Sequence, residues 1–130
     1  MRSFQIGVAA EASETVLYTN TASAFASGTL DVYATPAMIA LMEQAACKAI
    51  APCLEEGIST VGVSMSISHD SATPIGKTVT AKAVLTGVDE RKLTFKVIAS
   101  DDYGVIGQGL HERFLIKTEK FLGKLKAKKG

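Results

Sequence analysis

The sequence predicts an α+β fold, a curved antiparallel sheet wrapped around one central α-helix. Three observations predict it. Residues 36–51 form one long stretch with apolar side chains spread around the helical wheel. Four segments after it alternate apolar and polar residues with period two. The turns between those segments are short, which favours antiparallel neighbours.

Taken in order, residues 14–20 have strand composition around Val16, Leu17 and Tyr18. Residues 21–30 are Ala, Ser, Gly and Thr with one Phe25, and read as a loop leading to the helix. Thr35 suits an N-cap and Pro36 the first helical turn, where a missing N–H costs nothing. Met38, Ile39, Leu41, Met42, Ala45, Ala46, Ala49 and Ile50 are spread so widely that the helix is expected to be covered on all sides. Pro52 marks its end.

Beyond the turn at residues 55–57, Val61, Val63, Met65 and Ile67 share one parity, with His69 at the strand end. Thr60, Ser64, Ser66 and Ser68 take the other. The next strand alternates Val79, Ala81, Ala83 and Leu85, and the one after it Leu93, Phe95, Val97 and Ala99. In the last strand, residues 105–117, His111 and Arg113 share one face and Leu110, Glu112, Phe114 and Ile116 the other. A single domain over residues 1–118 and a Lys-rich, solvated tail over 119–130 follow from this pattern. One sheet on one helix leaves strand edges and part of the helix open, which a second copy would cover.

Composition narrows the function. Hydrophobic content of 47% and a net charge of +1 describe an ordinary globular chain and give no reason to expect nucleic acid as a partner. No apolar run nears the ~18 residues of a membrane span, and the first residues lack a signal-like apolar stretch, so a cytoplasmic location is expected. Cys47 and Cys53 fit no zinc spacing and are too few for a disulfide framework; buried thiols are expected.

Glu43 is the candidate for chemistry, because a carboxylate inside an apolar helix needs a partner or a purpose. Taken singly, Thr35 is explained as a cap, His69 as a core histidine, and Arg113 as an ion-pair partner. Together, an acid on the helix, a histidine at a strand end and a hydroxyl at a helix start are the parts of an acyl-transfer or hydrolysis site. Thr35 and Glu43 stand eight residues apart, or ~12 Å along a helix axis. They converge more easily from two chains than within one.

At these residues the chain resembles the hot-dog thioesterases, in particular the fluoroacetyl-CoA thioesterase-like family. The matching text is Val32-Tyr33-Ala34-Thr35-Pro36, Leu41-Met42-Glu43, Thr60-Val61-Gly62, Ser68-His69, Thr73-Pro74-Ile75-Gly76 and Gly107-Gln108-Gly109-Leu110-His111-Glu112-Arg113. The resemblance implies a hot-dog fold, a homodimer, and hydrolysis of a short-chain acyl-CoA to a carboxylic acid and free coenzyme A without metal or organic cofactor. It carries the family's catalytic set onto Thr35, Glu43 and His69, its glycine beside the acyl group onto Gly62, and its arginine onto Arg113. The fluoroacetyl-selective form presents aromatic residues over the acyl pocket, where this chain has Ala26, Ser27, Gly28, Thr29 and Leu30. Thioester hydrolysis is therefore implied, and fluoroacetyl selectivity is not. The alternative on the same scaffold is a domain that binds acyl-CoA without turning it over, as a sensor or carrier.

Overall fold

The computed structural model describes residues 4–129. Five strands, β1 (Ala9–Thr15), β2 (Ile58–His69), β3 (Thr78–Asp89), β4 (Lys92–Asp101) and β5 (Gly104–Lys117), form one sheet in the order β1-β3-β4-β5-β2. Every neighbouring pair is antiparallel. Helix α2 (Thr35–Ile50) packs on one face of the sheet, chiefly against β1 and β3, preceded by a short helix α1 (Ala22–Phe25) and followed at the chain end by α3 (Thr118–Lys129).

Alternation places the core. Val79, Ala81, Ala83 and Leu85 of β3 and Leu93, Phe95, Val97 and Ala99 of β4 are fully buried, every second residue of their strands. They meet Met38, Leu41, Met42, Ala45, Ala46, Ala49 and Ile50 of α2, which are equally dry. Those helical positions recur at i, i+3 and i+4, so within one protomer α2 is amphipathic rather than enclosed. Pro36, Ala40, Gln44, Cys47 and Lys48 are exposed, and Glu43 stands at the edge of that open stripe. Cys47 is thus a surface thiol and Cys53 a half-buried one, against the expectation of buried cysteines. Ile39 is the only large apolar residue off the buried stripe, which is why the sequence looked apolar all round.

Three further differences have local causes. The first strand lies earlier than its β-branched residues suggest, in the alanine-rich stretch that pairs with β3. Cross-strand fit, including the Ser13–Thr80 hydroxyl contact at 2.8 Å, outweighs intrinsic propensity there. Tyr18–Asn20 is a 3-10 turn, and Thr21 caps α1 by accepting from the Ala24 N–H. The charged tail is helical from Thr118 to Lys129.

The last difference matters most for function. Pairing of β2 with β5 shifts register between Gly62 and Ser64, leaving Val63 as an extra, half-exposed residue. The bulge switches the parity of the strand. On its early half the residues aligned with inward-facing β5 positions are Thr60, opposite Leu115, and Gly62, opposite Arg113. On its late half they are Met65, opposite His111, and His69, opposite Gly107. Val61, opposite the outward Phe114, therefore does not share a face with Met65 and Ile67, and Val63 stands outside the ladder. The helix-facing side of β5 carries His111, Arg113 and Leu115, all buried, while Leu110 and Phe114 are exposed on the other side.

Candidate active site

Thr35 is the first helical residue rather than the cap. Ala34 takes the cap position, and its carbonyl accepts from the Met38 N–H at 3.0 Å. The Thr35 hydroxyl, with no capping bond to make, lies 2.7 Å from His69 Nδ1 at the end of β2. Gly107, paired with His69, lets the strands close up there. A Cβ at Gly107 would sit 2.5 Å from the Ser68 carbonyl oxygen and 2.8 Å from the Met38 thioether.

The second ring nitrogen, His69 Nε2, is buried and has no hydrogen-bond partner among the described residues. A buried polar atom without a protein partner calls for an explanation, such as a catalytic role or a bound water. Burial holds the His69 pKa below its ordinary value of 6.5, with the Ser71 backbone and the Asp70 charge pulling weakly upward. The ring is neutral near pH 7 and able to take a proton.

Glu43 belongs to a second cluster. Its Oε2 lies 3.3 Å from Arg113 Nη1 and 3.9 Å from His111 Nε2. Arg113 Nε donates to the Thr60 hydroxyl at 2.9 Å, and Nη2 to the Thr60 carbonyl at 3.2 Å. All three guanidinium nitrogens therefore hold protein partners. Gly62 leaves room for the carboxylate, since a Cβ there would sit 2.7 Å from Glu43 Oε2 and 3.2 Å from Arg113 Nη1. Glu43 itself is 43% exposed, tethered through one oxygen and open to solvent in the single protomer.

Five residues singled out in the sequence thus fall into two groups. Thr35 meets His69; Glu43 meets Gly62 and Arg113. Within one protomer the groups stand apart, because His69 and Gly62 are seven residues apart on β2, ~20 Å along an extended strand. Sequence reasoning missed Thr60 and His111. The signal for His111 lay in β5, where His111 and Arg113 take the inner parity and Leu110 and Phe114 the outer; Thr60 lies on early β2, whose parity the bulge reverses. Among the described residues no group of three His, Cys, Asp or Glu side chains is disposed to hold a metal.

Solved structures share this arrangement of sheet and helix. A Thermus thermophilus protein described as a thioesterase superfamily member superposes with a TM-score of 0.92 at 27% identity, over 99% of this chain and 96% of its own. The fold is that of the hot-dog thioesterases. A structure of the fluoroacetyl-CoA thioesterase FlK superposes with a TM-score of 0.90 at 35% identity, over 97% of this chain and 98% of that one. A phenylalanine-to-alanine variant of FlK, in complex with fluoroacetate and CoA, gives 0.85 at 35% identity over 91% and 99%. A fluoroacetyl-CoA thioesterase from Streptantibioticus cattleyicolor is 44% identical over 98 residues, which cover 75% of this chain and 70% of the relative. The chain belongs to the fluoroacetyl-CoA-specific thioesterase family, whose profile matches residues 16–119.

Proposed function

We propose that this protein hydrolyses short-chain acyl-CoA thioesters at sites shared between the two subunits of a homodimer. Family membership supports thioester hydrolysis over mere acyl-CoA binding. One observation carries the shared site: Thr35 and His69 stand at one end of an open edge strand, and Glu43 beside Gly62 towards the other. Antiparallel self-pairing of β2 about a two-fold axis at Ser66 brings them together. It sets Met65 opposite Ile67 of the partner subunit and Ser64 opposite Ser68 of the partner subunit, with inner and outer faces matched. With Val63 bulged out, His69 then faces Gly62 of the partner subunit, beside the partner's Glu43. The same pairing covers the β2 edge and the open stripe of α2.

In that arrangement the partner's Glu43 attacks the thioester carbonyl or activates the water that does. His69 takes a proton from the hydrolytic water on the nitrogen that now has no partner and passes it to the departing thiolate, while the remaining hydroxide oxygen ends in the carboxylic acid. Thr35 holds the reacting carbonyl and the His69 ring in register. Backbone beside Gly62 receives the developing oxyanion, where the absence of a Cβ permits close approach. Arg113, whose nitrogens all face protein groups, orients Glu43 rather than a substrate phosphate. The reaction runs on side chains and water, coenzyme A being part of the substrate.

A cytoplasmic setting suits such a substrate, and no helix among the described residues is long and apolar enough to cross a membrane. Residues 26–30 of the loop between α1 and α2 carry no aromatic side chain and one large apolar one, the exposed Leu30, while Tyr33 at the end of the loop is buried in the core; this supports a short acyl group without fluoroacetyl selectivity. The test is release of free thiol from acyl-CoAs ranging from acetyl to palmitoyl. Glu43→Ala and His69→Ala should each lower the rate on the best substrate by at least ~10²-fold, the low end of acid–base contributions. Wild-type rates in either variant would overturn this reading.

A further inference from the structure

His111 plays no part in the scheme above, yet it is fully enclosed beside Glu43 and Arg113, 1% exposed. Its ring stacks on Phe95 of β4 with centroids 6.3 Å apart. Its Nδ1 lies 2.8 Å from the Ser64 backbone carbonyl, just past the β2 bulge. A carbonyl oxygen only accepts, so Nδ1 carries the hydrogen. In the neutral ring Nε2 then has a bare lone pair. That lone pair points at Arg113 Nη1, 3.1 Å away, and guanidinium nitrogens only donate. The same Nη1 reaches Glu43 Oε2 at 3.3 Å.

We propose that His111 is a positioning residue: the Ser64 carbonyl fixes its tautomer, and its Nε2 lone pair holds the Arg113 guanidinium where it aims Glu43 into the site. The chain of dependence runs from the bulge to the carboxylate. Ser64 sets the ring, the ring sets Nη1, and Thr60 sets the other two nitrogens of Arg113. Protonation of His111 would convert the acceptor into a donor facing another donor. The charged groups around the ring are Glu43 on α2 and Arg113 and Glu112 on β5, while β2 and β4 offer it Ser64 and Phe95. Burial lowers the ring's pKa most; the Ser64 carbonyl pulls it back up, the Arg113 charge lowers it further, and Glu43 and Glu112 raise it by less, which leaves it below its ordinary value.

The inference rests on the role given to Glu43, and its first test does not depend on activity. A two-bond proton–nitrogen spectrum of the wild-type histidine rings at neutral pH should show His111 protonated at Nδ1 and bare at Nε2. A ring protonated at Nε2 would overturn the proposal whatever the enzyme does. The second test compares two substitutions in acyl-CoA hydrolysis. H111F keeps a ring against Phe95 but removes the acceptor, and should lower kcat by ~10-fold or more with KM little changed. H111Q restores an acceptor near the same place and should exceed H111F in kcat by several-fold. Equal rates in H111F and the wild type would also overturn it. If H111F does not fold, the spectrum and the H111Q rate still decide.

Discussion

The Thr35 hydroxyl sits 2.7 Å from His69 Nδ1, joining the first residue of the central helix to the last residue of the edge strand. The contact exists because Ala34, not Thr35, is the cap, which leaves the hydroxyl free to meet His69 instead of the helix end.

Thr35→Ala should therefore separate activity from stability. Removing an N-cap threonine costs about 1 kcal/mol. Removing this one should shift the urea midpoint little while lowering thiol release by ~10-fold or more, and Thr35→Ser should keep most of the rate. A loss of stability near the cap value with unchanged turnover would return Thr35 to a structural role.

Gly62 makes a second separation possible. No positive φ is required there, so alanine brings no backbone strain, only a methyl group where Glu43 Oε2 now lies. Gly62→Ala should fold normally and turn over at least ~10-fold more slowly, because the carboxylate must move. Full activity would show that Glu43 works from some other position.

Arg113 is 7% exposed and bridges β5, β2 and α2 through three nitrogens. Arg113→Lys keeps the charge but offers a single point in place of a planar fork. Loss of hydrogen bonds to and from a charged group should cost about 2 kcal/mol, with part of the Glu43 contribution screened by solvent. Chemical denaturation measures this directly; a change below ~0.5 kcal/mol would mean that the clamp holds nothing.

Acid should destabilise the fold through both histidines. Each has a folded-state pKa below the ordinary 6.5, because burial disfavours the charged ring. Above that value both states are neutral and the contribution is flat. As pH falls through 6.5 the unfolded chain takes up protons first, so stability declines until the folded pKa values are reached. Glu112, held below its usual value first by the Ser64 hydroxyl and then by Lys92, loses its contribution in the same direction at lower pH. Denaturation midpoints measured from pH 7.5 downward should fall below about 6.5, and less steeply in H111Q. A flat profile would contradict the assigned burial.

Much of this was legible in the chain. Period two in β3, β4 and β5 gave the sheet, and the apolar stretch from Pro36 gave the central helix. Other features were hidden for physical reasons. Polar residues at Thr60, His111 and Arg113 occupy the inner parity, so a reader following hydrophobicity takes the wrong face of β5 and of early β2. The bulge at Val63 is marked only by the neighbouring Gly62, a lone glycine in a strand pattern, which signals a bulge or a close approach without saying how the parity shifts. Alanines in β1 have weak strand preference and form a strand only because β3 is there to pair with. Exposure of Glu43 in one protomer follows from an open helix stripe, which no single-chain pattern can distinguish from a covered one.

Subunit complementation tests the shared site most directly. Glu43→Gln and His69→Ala protomers, each inactive alone, are unfolded together, refolded as a mixture and assayed for thiol release from a short-chain acyl-CoA. Random pairing makes half the dimers mixed, each with one site that has both an intact His69 and an intact Glu43, so activity should recover to about a quarter of the wild type. No recovery in a mixture that demonstrably contains mixed dimers would place Glu43 and His69 of one chain in the same site, and contradict the account.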